Sequence, residues 1–362
     1  ATTEIYTLSL HDALPILVDF LTNGNNIALM SPRRLGKTDL IKHCFDQPAI
    51  KDKYYTFVID IYATDSFHDF VNVFGKAILE ELKPKGRKVW EGFLNVLSSI
   101  RSDITFDING NPVWGLGVGA MVPPQTTLDE IFNYLSSADK HCLVAIDEFQ
   151  QILKYPEKNM EALLRGRIQK LTNTNFIFAG SERRIMNEMF FSDKRPFFQS
   201  TTLLQLEPID LNVYADFTAH HFQTAGKTIS RDAIEWAYHT YNGITMYVHR
   251  LLHDAYAATA TGENCTLADM EKFSALLIQQ NAKRLQELLA YVTEQQKEVL
   301  YAIAADQQVT RVTSSDFVRR HHLRSASAVQ SAVRRLLDFD LITEQNKTYS
   351  VSDPLLRIWI DR

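Results

Sequence analysis

The segment Ser31-Pro32-Arg33-Arg34-Leu35-Gly36-Lys37-Thr38 constrains this chain more than any other. It follows a short apolar run, Asn26 to Met30, and precedes a helix-like apolar pattern over Leu40 to Phe45. Strand, tight loop and helix start, in that order, form a cradle for phosphate, because converging backbone N–H groups meet the positive end of a helix dipole. The template G-x-x-x-x-G-K-[ST] is met at every specified position but the first, where Ser31 replaces glycine. Gly36 lets the loop curl closely, Lys37 is placed to meet the β- and γ-phosphates, and the Thr38 hydroxyl is placed to ligate Mg²⁺. The candidate nucleotide-binding set is Ser31, Pro32, Arg33, Arg34, Leu35, Gly36, Lys37, Thr38 and Asp39. At Ser31 a cost of about 1 kcal/mol or more is expected if the position needs positive φ. Arg33 and Arg34 read equally as solvated charge and as groups that touch phosphate or a partner.

A second apolar run, LVAIDEF, ends in two acids. In that position Asp147 is expected to hold Mg²⁺ with Thr38, and Glu148 to orient or deprotonate an attacking water. Taken alone, Asp147-Glu148 would also suit the first turn of a helix; beside a phosphate loop the metal-and-base reading is preferred. The run NFIFA leads into Gly180-Ser181, which places a hydroxyl at the carboxyl edge of a sheet, where ligands of open α/β folds bind. Ser181 is therefore a catalytic candidate with Lys37 and Glu148, as a group contacting the γ-phosphate or the lytic water; a helix N-cap accounts for it equally well. Arg183, Arg184 and Arg195 are three candidates for stabilising transferring phosphoryl charge.

Apolar runs at Asn26–Met30, Tyr54–Ile61, Cys142–Ile146 and Asn175–Ala179 alternate with helical patterns, which predicts a parallel sheet covered on both faces. The expected organisation is α/β: a P-loop NTPase core over 17–209, with an irregular glycine- and proline-rich insertion at about 83–127, then an all-helical lid over 210–292 and a winged helix over 293–362. From about Asp210 the strands are expected to stop. Residues 1–16 are given no role; they resemble a translated sequencing-adapter scar, so the native start is expected to be missing. No run of about eighteen apolar residues is available to cross a bilayer. The three cysteines form neither a disulfide framework nor a metal cluster, and a cytoplasmic location is expected.

The formal charge of −5 offers nucleic acid no global attraction, so any such binding needs a local basic face. Between Arg311 and Arg335 six arginines stand against one acid, Asp316, and Ser327–Phe339 would be the recognition helix with Arg334 or Arg335 meeting phosphate. The whole tail from Thr293 nevertheless carries ten basic and nine acidic residues, which favours docking onto a protein surface over DNA.

Together SPRRLGKTDLI, VIDIYAT, LVAIDEFQQI, FIFAGSERRIMNEMF, RPFFQS with LEPID, and YNGITMYVHRLL resemble the archaeal-type ATPase family, in the STAND branch of the AAA+-like P-loop ATPases. The resemblance spans roughly Leu17 to Leu252, and the tail looks like that family's winged helix. It implies ATP and Mg²⁺ bound by Gly36, Lys37, Thr38 and Asp147, Glu148 as the hydrolytic acid, and a switch coupled to the lid. A protein partner or self-association is a separate expectation. The family often has Gly-x-Pro in the lid, whereas Gly243-Ile244-Thr245 lacks the proline. Arg250 is the candidate substitute sensor, with a helix-surface arginine as the plainer account.

Overall fold

The computed structural model describes residues 5–81, 104–106, 112–114, 124–345 and 347–362. They fall into two compact units, Ala1–Glu207 and Pro208–Arg362. In the first, the chain runs β1 (Ile5–Ser9), α1 (Leu10–Thr22), β2 (Ile27–Met30), α2 (Lys37–Phe45), β3 (Tyr55–Asp60), α3 (Phe67–Glu81), β4 (Ile104–Phe106), β5 (Pro112–Trp114), α4 (Pro124–Ser136), β6 (Cys142–Asp147), a 3₁₀ segment (Phe149–Lys154), α5 (Met160–Ile168), β7 (Thr174–Gly180), α6 (Arg183–Phe191) and β8 (Thr202–Glu207).

Six of these strands form one sheet in the order β1-β8-β2-β7-β6-β3, and every pair is parallel. Strands β2, β6 and β7 are buried along their whole length, which is why their sequences are continuous apolar runs instead of alternating ones. Packing on the sheet is largely aromatic. Phe70, Phe74, Phe132 and Phe176 stack in succession at 5.5, 5.8 and 6.3 Å, and Phe178 continues the row to Phe149 at 4.6 Å and Phe197 at 5.2 Å. Phe149 follows the acidic pair directly, so this packing anchors the segment that leaves the end of β6.

Three features differ from the expectation. Residues 5–9, given no role, form the edge strand β1 beside β8, a pairing made by hydrogen bonds to a strand almost two hundred residues away in sequence. Strand β8 itself, TLLQLE, is interrupted by polar Gln205 and lacks the long apolar run that marks the central strands. Within the supposed irregular insertion, Pro124 to Thr127 are already the first turn of α4, where proline's fixed φ suits a helix start. β4 and β5 pair antiparallel, and the rest of 83–127 lies outside the described residues.

The second unit runs α7 (Leu211–Thr224), β9 (Thr228–Ile229), α8 (Arg231–Thr240), α9 (Thr245–Ala258), β10 (Asn264–Cys265), α10 (Leu267–Ala290), α11 (Glu294–Asp306), α12 (Ser315–Arg320), α13 (Ala326–Asp338), β11 (Ile342–Gln345), β12 (Thr348–Val351) and α14 (Pro354–Ile360). Strands do not stop at Asp210: β9 and β10 pair in parallel over two residues each, too short to register as periodicity. Helix starts follow from capping chemistry. Thr266 with Asp269 and Thr293 with Gln296 form reciprocal capping boxes at α10 and α11, and the second fixes the break between the two long helices. Helices α11 to α13 followed by the antiparallel β11–β12 hairpin make the winged-helix order.

Helix α14 was not anticipated. Asp353 caps it, Pro354 opens it, and Leu355 and Leu356 are fully buried. The Tyr247 hydroxyl donates to Asp353 at 2.7 Å, and Arg357 donates to the Thr240 carbonyl at 3.0 Å, so this last helix fastens the wing to α8 and α9. No helix among the described residues is long and apolar enough to cross a membrane.

Candidate nucleotide site

The loop between β2 and α2 begins at Ser31, which is fully buried and donates its N–H to the Gly180 carbonyl at 3.3 Å. The loop is thereby fixed to β7. Its left-handed conformations fall at Arg34 (φ 65°) and Gly36 (φ 101°), and Ser31 is not among the positive-φ residues, so the strain expected for serine at the first template position does not arise. Leu35 is buried and holds the loop down, while Arg33, Arg34 and Asp39 are exposed around it and Pro32 is half-buried. The first intrahelical bond runs from Leu40 N–H to the Gly36 carbonyl, leaving the amides at the start of α2 without helical partners, as an anion site requires.

Strand order brings the two motifs together. β7 lies between β2 and β6, so the carboxyl ends of three strands open side by side. Lys37 Nζ sits 2.8 Å from Asp147 Oδ1 and 3.3 Å from Glu148 Oε1. The Thr38 hydroxyl donates to Asp147 Oδ2, and the Glu148 N–H donates to Asp147 Oδ1 at 2.9 Å. Ser181, at the end of β7, donates its hydroxyl to Glu148 Oε2 at 2.7 Å. Lys37, Thr38, Asp147, Glu148 and Ser181 are thus one hydrogen-bonded group. The helix-cap alternative for Ser181 is not realised: α6 begins after Glu182, and no side chain caps it.

Burial is the largest single influence on Asp147 and raises its proton affinity, but the Lys37 charge and the hydrogen bonds from Lys37, Thr38 and the Glu148 N–H together outweigh it, so the carboxyl stays below its ordinary range. An ionised aspartate touching a threonine hydroxyl is an all-oxygen pair of the kind Mg²⁺ takes from protein while phosphates and waters complete its shell. The donor set fits the metal. Glu148 itself has φ 55°, a left-handed conformation that turns its side chain out of line with the strand and toward Lys37 and Ser181.

The candidate arginines separate. Arg183 donates to the Leu206 carbonyl at 3.0 Å and to Glu207 at 3.1 Å, and Arg195 is clamped between Glu161 at 2.9 Å and Glu188 at 3.0 Å. Arg184 is exposed on the first turn of α6. Arg250 pairs with Asp254 one turn along the exposed face of α9, which is the helix-surface account of it. Two residues not singled out from sequence also shape the site. Gln150 is buried and donates to Glu148 Oε2 at 2.5 Å, and Gly180 leaves room for it.

A family model described as "Probable winged helix domain" matches residues 283–362. No curated protein matches the chain by sequence. Among solved structures, a Walker-type ATPase of Pyrococcus abyssi is similar over 97% of this chain and 95% of its own, at 16% identity and a TM-score of 0.64. The ORC2 protein of Aeropyrum pernix, solved as ADPNP–ADP complexes, covers 97% and 92% at 12% identity with a TM-score of 0.56. The ORC1 protein of the same organism, solved in complex with DNA, covers 98% and 91% at 12% identity with a TM-score of 0.52. The fold is a P-loop NTPase fold, a parallel sheet covered by helices, followed by a C-terminal winged helix domain.

Proposed function

We propose that this chain binds ATP with Mg²⁺ and hydrolyses it to ADP and phosphate, its nucleotide state acting as a switch on the lid and winged helix. The observation that carries the reading is the convergence of Lys37, Thr38, Asp147, Glu148 and Ser181 beside the free amides of α2. The loop amides and Lys37 bind the phosphates. Held by Thr38 and Asp147, Mg²⁺ would neutralise phosphate charge. Glu148 accepts a proton from water as the water oxygen bonds to the γ-phosphorus and the bond from that phosphorus to the bridging oxygen breaks, releasing ADP. The similar ORC2 protein, solved as ADPNP–ADP complexes, supports this reading at the level of fold. ATP turnover tests it, comparing wild type, Lys37→Ala and Glu148→Gln alongside binding of a fluorescent nucleotide. Loss of turnover in both variants, with binding kept in Glu148→Gln, is the expected result; undiminished turnover in either one sinks it.

DNA binding is the second reading. Helix α13 turns Val329, Ala332, Val333 and Leu336 inward and exposes Ser327, Gln330, Ser331 and Arg334, a polar face suited to a groove. Against it, Arg320 and His321 both engage Asp306, at 2.7 and 3.1 Å, and Arg319 and Arg335 lie near Asp316 and Asp338. The basic patch is partly neutralised, so docking against protein, including a second copy, is preferred. A salt-dependent gel shift abolished by charge reversal at Arg334 and Arg335 would reverse that preference.

A further inference from the structure

Gln150 lies two residues beyond Glu148 in the first turn of the 3₁₀ segment, and is 2% exposed. Its side-chain N–H donates to Glu148 Oε2 at 2.5 Å, the same oxygen that takes the Ser181 hydroxyl at 2.7 Å. Glu148 Oε1 is left to Lys37, at 3.3 Å. The Gln150 carbonyl oxygen is buried and has no hydrogen-bond partner among the described residues. Burying such an oxygen bare is disfavoured, and a methionine would fill the same space without it, so core packing alone does not account for an amide here. Turning the amide over would set its oxygen against the carboxylate, so the acid dictates which way it points. The surroundings accept the arrangement only because residue 180 is glycine. A Cβ there would lie 2.6 Å from the Gln150 carbonyl oxygen and 2.5 Å from Met186 Sδ.

We propose that Gln150 is a positioning residue for hydrolysis, pinning Oε2 of Glu148 together with Ser181 so that Oε1 is the oxygen that receives the proton from water. The inference rests on the reading of Glu148 as the base. Its logic is a division of donors. A bound phosphate draws the Lys37 ammonium, because opposite charges attract, whereas the Gln150 amide, buried beside the carboxylate, keeps its bond to Oε2. When Lys37 turns to phosphate, Oε1 is released while Oε2 stays held. Gln150 does not touch substrate; it acts through the carboxylate.

The test uses the full chain. Gln150→Met keeps the volume and removes the donor. It is expected to lower kcat roughly ten- to a hundredfold, as loss of orientation at a base does, while KM for ATP and fluorescent-nucleotide affinity stay within about twofold. In a Glu148→Gln background the same change should have no further effect, because the acid through which it acts is already gone. A wild-type kcat in Gln150→Met beside an inactive Glu148→Gln overturns the positioning role and leaves the base reading intact. If Glu148→Gln itself turns over normally, the base reading has failed instead. A fall in KM performance and melting temperature together with kcat makes Gln150 structural and also overturns the proposal. A readout without turnover uses ligand-free protein labelled with ¹⁵N-glutamine. Glu148→Ala should move one glutamine side-chain N–H signal upfield as its charged acceptor disappears, and an unchanged amide spectrum is incompatible with the clamp.

Discussion

The Lys37 ammonium stands 2.8 Å from Asp147 Oδ1 with both side chains nearly buried, so each is the other's main compensation for lost solvent. Lys37→Met removes the charge and keeps most of the volume. Asp147 then retains only the Thr38 hydroxyl and the Glu148 N–H. Breaking a buried pair costs about 3–5 kcal/mol, and the two remaining donors reduce the expected loss to about 2–3 kcal/mol. Urea denaturation without nucleotide measures it, and a change no larger than at an exposed ion pair would contradict the pairing.

The same contact sets an acid dependence. The folded-state pKa of Asp147 is depressed, so its contribution is fully present above the unfolded value of about 3.9 and is lost as pH falls through the lower folded value. Asp147→Asn should therefore be less stable than wild type at neutral pH, with the gap closing below about pH 4. Paired denaturation curves at several pH values check this. A gap that stays constant on acidification would mean the carboxylate is not stabilised by its partners.

Gly243 has φ 65°, and a Cβ there would lie 2.7 Å from the Pro208 Cβ and 2.8 Å from the Tyr238 Cζ. Gly24 also has positive φ, at 81°, but has nothing within 4 Å of such an atom. Both alanine substitutions carry about 1 kcal/mol of backbone strain, and Gly243→Ala adds a packing penalty of about 1–3 kcal/mol. Thermal unfolding should rank Gly243→Ala well below Gly24→Ala. Equal melting temperatures would refute the steric account.

Asp353 caps α14 and accepts from Tyr247. Asp353→Ala loses the cap, about 1 kcal/mol, and removes an acceptor from the tyrosine hydroxyl, about 1 kcal/mol more. Hydrogen exchange at residues 357–360 should accelerate first, since these amides bond within the helix that the cap anchors. Unchanged protection there would separate the helix from its docking.

Much of the core was legible because its two motifs are local: SPRRLGKT and LVAIDEF each stand out within a few residues, and both lie at the ends of apolar strands that are buried along their length. What escaped notice depends on distant partners. Strand β8 is mixed in polarity and is defined by pairing with β1 and β2. α14 is short, and its apolar residues become meaningful only against the helices they cover. The arginines could not be ranked, because Arg195 is distinguished by Glu161 and Glu188, neither of them adjacent in sequence. Gln150 gave no signal, since a glutamine beside an acidic pair is unremarkable until Gly180 and the carboxylate are seen around it.

The strand order has a consequence for how the molecule is made. Because β7 is inserted between β2 and β6, the Ser31–Thr38 loop and the acidic pair cannot meet through a local hairpin; both must wait for a segment synthesised later than either. During translation no fragment ending before Gly180 contains a finished pocket, and Ser31 has no carbonyl to receive its amide until that residue emerges. On the proposed reading, nucleotide capture would report that β7 has taken its place between β2 and β6, before β8 has closed the sheet, and a nascent chain would gain from nucleotide only from that point.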